Sequence, residues 1–96
     1  MLFVSLLLAG CATDSQVTDI LALTGDTTAG ETLFADNCAS CHGADATGGS
    51  GPDLTGEGMD EEAVSVILDG EEDMPSFSAD LADQDIADII AWVDSL

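Results

Sequence analysis

The sequence has no lysine and no arginine. Against 20 aspartates and glutamates in 96 residues, this leaves a formal net charge of -20 at pH 7. Nucleic acid binding is excluded, because neutralising phosphates requires cationic side chains. Attraction to an anionic lipid surface is excluded on the same ground. Any charged partner would have to be basic. Histidine is nearly absent as well, His42 being the only one, and cysteine is limited to Cys11, Cys38 and Cys41. Long hydrophobic runs are missing, since the apolar N-terminal stretch is far short of the ~20 residues that span a bilayer as a helix. A chain of 96 residues makes one small domain, near the size at which an apolar core alone is barely sufficient. A covalent staple or a buried cofactor would help it. So acidic a chain could be disordered, but 46% hydrophobic residues arranged with helical periodicity indicate a folded domain.

The first eleven residues, MLFVSLLLAGC, read as a processing signal. An apolar run is followed by small residues and then Cys11, and Leu8-Ala9-Gly10-Cys11 resembles a bacterial lipoprotein lipobox. That resemblance implies removal of residues 1–10, lipidation of Cys11 and export to the periplasmic side of a bacterial membrane. No positive residue precedes the run, which departs from the usual signal pattern, and a plain secretory signal is the alternative. Residues 11–27 are expected to be the lipidated cysteine and a tether. Within them, 12 to about 19, polar at first, are read as the tether, and Ile20, Leu21 and Leu23 form a small apolar cluster that would pack weakly on the domain.

The domain itself is expected over 28–96, all-α, with three to four short helices and no strand. Thr28 and Glu31 fit a capping box, and Leu33, Phe34 and Ala35 carry that helix towards Cys38. Residues 43–58 are a glycine-dense loop. Asp60 is placed to cap a second helix through Leu68, with Gly70 ending it. Ile86, Ile89, Ile90 and Val93 give a third helix, about Asp83 to Ser95, its apolar stripe.

Chemistry concentrates in Cys38-Ala39-Ser40-Cys41-His42, the attachment pattern of haem c. Two thiols three positions apart can bond both vinyl groups of one haem, and the adjoining imidazole can reach its iron. Three rivals are weaker. Zinc needs four ligands, and with Cys11 assigned to the anchor only three remain. A redox dithiol needs thiolates favoured by a helix N-terminus or nearby cations, and here both influences oppose them. A disulfide bridging two intervening residues would stabilise little and leaves His42 unexplained. With no second histidine, the other axial ligand comes from Met59 or Met74. Met74 lies in an acidic loop before Pro75, whereas Met59 suits packing better.

Taken in order, Gly30-x-x-x-Phe34, the Cys38–His42 motif, Gly51-Pro52-Asp53-Leu54 and Met74-Pro75-x-Phe77 before a final helix with Trp92 resemble the class I c-type cytochromes, over residues 28–96. The resemblance implies a small cytochrome c-like fold around one covalently bound haem c per chain. Cys38 and Cys41 would form the thioethers, and His42 and Met74 would be the axial ligands. The Pro52 carbonyl would orient His42, Leu54 and Phe77 would line the pocket, and Gly30 and Phe34 would meet Trp92 where the first and last helices cross.

The function so implied is single-electron carriage between periplasmic or membrane-bound redox proteins, with no enzymatic turnover. A cytochrome subunit built into a larger oxidoreductase is an alternative; a haem sensor or weak peroxidase with an open iron site is another. Relatives that dock through lysines depart from this chain, whose partner surface must be basic or apolar. Its acidity also suits a saline habitat, where salt screens self-repulsion.

Overall fold

A computed structural model describes residues 14–56 and 58–96. Cys11 and the apolar run before it, with the signal and lipidation expected of them, lie outside the described residues. The described elements are α1 (Asp14–Ala22), α2 (Thr27–Asn37), α3 (Ala39–His42), α4 (Glu61–Asp69) and α5 (Asp83–Asp94). Among the described residues no strand forms, and the only β-pairing is an isolated bridge between Glu71 and Met74. The all-α expectation is met.

Helices α2 and α5 make the most extensive helix–helix contact, and the core forms around it. From α5, Ile86, Ile89, Ile90 and Val93 are all buried, so the i, i+3, i+4, i+7 stripe is the core face. Helix α2 contributes Phe34, only 1% exposed, and α4 contributes Val64 and Leu68. Gly30 sets how closely α2 and α5 approach. A Cβ there would fall on the Asp88 carbonyl oxygen and lie 3.0 Å from the Trp92 Cβ. Only a residue without a side chain fits that crossing.

Two local expectations are corrected. The cap of α2 is Asp26, whose carboxylate accepts from the N–H groups of Thr28 and Ala29 at 2.9 and 3.2 Å. The expected Thr28–Glu31 box is displaced by a carboxylate two residues earlier, a stronger acceptor for the helix's unpaired donors. The second correction concerns residues 12–19. They were expected to form a tether, but from Asp14 they belong to α1, which packs against α4 and α5. Val17 and Ile20 lie three apart and are 5% and 1% exposed, so two apolar side chains on one face suffice to seat a helix whose other positions are mostly polar.

Charge of a single sign also shapes the helix ends. Acidic side chains can complement helix N-termini, and α4 and α5 carry Glu61, Glu62, Asp83 and Asp85 in their first turns. For the C-termini there are no lysines or arginines to offer. Neutral donors take over, with Asn37 Nδ2 on the Leu33 carbonyl in α2 and Ser95 Oγ on the Trp92 carbonyl in α5. Asp60 caps α4 through the Ala63 N–H, and Gly70 ends it.

Candidate functional site

Cys38 closes α2 and opens α3. Its N–H donates to the Phe34 carbonyl at 2.8 Å, and its carbonyl accepts from the His42 N–H at 3.0 Å. One helical turn therefore carries both cysteines, three apart and on one side, with His42 beside the second. Sequence reading did not resolve this separate turn, which is too short for hydrophobic periodicity to reveal.

Residues 43–54 fold back over the turn. The Gly48 N–H reaches the His42 carbonyl and the Gly51 N–H the Cys41 carbonyl, both at 2.7 Å, while the Leu54 N–H reaches the Ala46 carbonyl at 2.8 Å. This wrap buries the His42 ring to 8% exposure. It also brings the Pro52 carbonyl within 2.9 Å of Nδ1. A carbonyl oxygen can only accept, so Nδ1 carries the proton and the lone pair is left on Nε2. Gly51 makes the approach feasible, since a Cβ there would stand 2.9 Å from His42 Cε1 and 3.0 Å from Nδ1.

Behind the histidine runs a line of rings. Phe34 lies 6.5 Å from His42 and 4.9 Å from Trp92, centroid to centroid, tilted at 45° and 47°. The α2–α5 crossing is thus continuous with the ring at the motif. Leu54, Phe77 and Met59 are partly buried against the core. Met59 is further held by its N–H, which donates to Asp94 Oδ1 at 2.8 Å. Met74 sits half-buried in the loop between α4 and α5, where it and Glu71 exchange backbone hydrogen bonds.

The electrostatics weigh against thiol redox chemistry. Burial, with a smaller contribution from the neighbouring Cys41, pushes the Cys38 thiol up to about 11. Such a thiol is a poor nucleophile at neutral pH. Among the described residues no group of three or more His, Cys, Asp or Glu is placed to hold a metal ion.

Three polar residues near these elements make contacts that the sequence did not indicate, Asp53 having been named only within the Gly51-Pro52-Asp53-Leu54 motif. Asp88 is a buried carboxylate in α5 that accepts from the Asp26 N–H at 2.8 Å and from Gln84 Nε2 at 2.9 Å. Its burial left no signal in the pattern, because Asp88 lies on the side of α5 away from the Ile86, Ile89, Ile90 and Val93 stripe. Asp53 accepts from the Thr55 hydroxyl and N–H, which together hold its carboxyl below the usual range. Ser76 donates to the Leu68 carbonyl at 2.5 Å. A serine in a loop gives no signal either.

Haem c fits these residues. Two free thiols share one turn, an imidazole offers Nε2 while its other nitrogen is fixed, and half-buried apolar side chains stand nearby. A small all-α fold with this turn defines a protein that carries one covalently bound haem c and transfers electrons. Comparison with known proteins then gives the family. The model of "Cytochrome C oxidase, cbb3-type, subunit III" matches residues 25–93, and the chain belongs to this family of class I c-type cytochrome domains. The "Cytochrome c-551" of Bacillus subtilis is 36% identical, the match covering 93% of this chain and 84% of that protein. The "Cytochrome c-553-like" protein of Synechocystis sp. is 33% identical, over 86% of this chain and 81% of its own length. Among solved structures, cytochrome cL from Methylophaga aminisulfidivorans matches with a TM-score of 0.63 and 28% identity. That match covers 86% of this chain but only 57% of the cytochrome cL chain.

Proposed function

We propose that this chain is an exported single-electron carrier, with haem joined by thioether bonds to Cys38 and Cys41 and iron ligated by His42 and Met74. The observation that carries the reading is the His42 ring, 8% exposed and held through Nδ1 on the Pro52 carbonyl at 2.9 Å, with Nε2 free to ligate. When bound, the haem supplies a one-electron couple between ferric and ferrous iron. The chain's own residues set how that couple behaves. Pro52 orients the imidazole and raises its basicity. Met74 would supply the second ligand to that iron, and substrate would then find no open place on it. Leu54 and Phe77 exclude water, and thioether ligation in an apolar pocket favours the ferrous state, raising the potential. Surrounding carboxylates act in the opposite sense by favouring the ferric centre.

Cys11 would be the lipid attachment point after removal of residues 1–10, holding the domain at the periplasmic face of a membrane. Its partners would be redox proteins with a basic or apolar docking surface. A permanent subunit of a larger oxidoreductase is the second reading, favoured by the family's description as an oxidase subunit.

Visible spectra of the haem-loaded protein test the ligation. The ferric sulfur-to-iron charge-transfer band should be present, lost in Met74→Ala and kept in Met59→Ala. High-spin features in the unaltered protein would instead mean an open iron site and overturn the carrier reading. Membrane fractionation separates the other points: Cys11→Ser should release the protein into the soluble fraction, whereas a built-in subunit stays with its complex.

A further inference from the structure

The last carbonyls of a helix have no partners within it, and a cation in the final turn is one common remedy. At α4 the following loop serves instead. The Gly70 N–H donates to the Val66 carbonyl at 2.8 Å, the Phe77 N–H to the Ile67 carbonyl at 2.9 Å, and the Ser76 hydroxyl to the Leu68 carbonyl at 2.5 Å. Two of these three donors lie just beyond Met74. On its other side, the Met74 N–H donates to the Glu71 carbonyl at 2.7 Å and the Glu71 N–H returns to the Met74 carbonyl at 2.9 Å. That tight turn holds Glu72 at a φ of 44°. Met74 is therefore fastened on both sides, and Ser76 ties the stretch to α4 through its side chain.

We propose that Ser76 is the positioning residue for Met74: its hydroxyl, seated on the Leu68 carbonyl, holds the loop so that the thioether stays on the iron. This rests on the reading of Met74 as axial ligand. Ser76 acts through the backbone, two residues on. Removing its hydroxyl leaves the Leu68 carbonyl to water and frees the loop to open locally without unfolding the helices. Ser78 provides an internal comparison, because its hydroxyl and N–H meet Ser76 Oγ at 3.2 and 3.4 Å.

Imidazole binding to the ferric holoprotein reads the release of Met74, since at saturating imidazole the thioether must leave first. In Ser76→Ala the limiting rate should rise about fivefold, the ratio that one net hydrogen bond corresponds to. Ser76→Thr keeps the hydroxyl and should bind near the rate of the unaltered protein, as should Ser78→Ala. The charge-transfer band of Ser76→Ala should also fade at a lower temperature, ahead of global unfolding. An unchanged imidazole rate in Ser76→Ala overturns the proposal, even if its unfolding midpoint falls, because the contact is then structural only. Equal acceleration by Ser78→Ala overturns it too, by showing general loosening of the loop. Absence of the band in the unaltered protein fails differently: it overturns the Met74 ligation and the positioning role with it.

Discussion

The Nδ1 proton of His42 and the carboxylate of Asp53 belong to one short stretch of structure. Pro52 gives its carbonyl to the imidazole, and the next residue anchors the backbone by accepting from Thr55 Oγ and N at 2.6 and 2.8 Å. The Thr55 hydroxyl first, then its N–H, hold the Asp53 carboxyl below the ordinary carboxylate range. A carboxyl depressed in the folded state stabilises the fold above its unfolded pKa, and that contribution disappears as pH falls through the folded value. Asp53→Ala should therefore lower the denaturant midpoint of the holoprotein at neutral pH. Below the range in which ordinary carboxylates titrate, the two proteins should converge. A difference that persists unchanged into acid would mean that the loop is held by something other than the charged form. The motif at Cys38, Cys41 and His42 was legible because spacing alone encodes it. The Ser76 contact was not, because hydrogen bonds between a loop and a distant helix end leave no periodic trace.

At the scale of elements, α1 divides what pattern can and cannot reveal. Helices α4 and α5 were legible from long stripes, a capping aspartate and a terminal glycine, and the structure keeps those features. Helix α1 has nine residues, many of them polar, and its apolar seat is essentially Val17 and Ile20. Two residues three apart are too few for a periodic signal. They became decisive only because α4 and α5 present a surface to receive them. The cap of α2 was misplaced for a related reason, in that Thr28 with Glu31 and Asp26 each satisfy a local rule. Tertiary contact favours Asp26, whose N–H is also taken by the buried Asp88. Substitution tests the docking of α1. Ile20→Ala should cost about 2–5 kcal/mol, as expected for a fully buried aliphatic side chain. On the same helix Leu21 is 37% exposed, and Leu21→Ala should stay within about 1 kcal/mol. Equal and negligible effects at both positions, read from denaturant midpoints, would restore the tether.

Across the whole molecule the governing fact is 20 acidic residues and no lysine or arginine. Carboxylates are stabilised locally by N–H and O–H donors, as at Asp26, Asp53 and Asp88, but nothing offsets their mutual repulsion over distance. The described residues extend over 46 × 28 × 22 Å. At ~10 mM ionic strength the screening length is about 30 Å, so carboxylates across the fold repel one another; at ~1 M it is about 3 Å and only neighbours do. Thermal midpoints should accordingly rise steadily between these limits, by similar amounts in sodium and potassium chloride. A flat response would show that repulsion is not a material cost to this fold. The same field acts on anything that approaches to exchange an electron. A small cationic cobalt complex should oxidise the ferrous protein fastest at low salt and slow as salt is added, whereas ferricyanide should quicken. The two trends have opposite signs because added ions weaken an attraction in one case and a repulsion in the other. If both rates ignore salt, the charge lies away from the site of exchange and a partner would dock there through apolar contact. If they diverge as expected, the natural partner presents a basic surface, and its on-rate falls with ionic strength more steeply than its contact area would suggest.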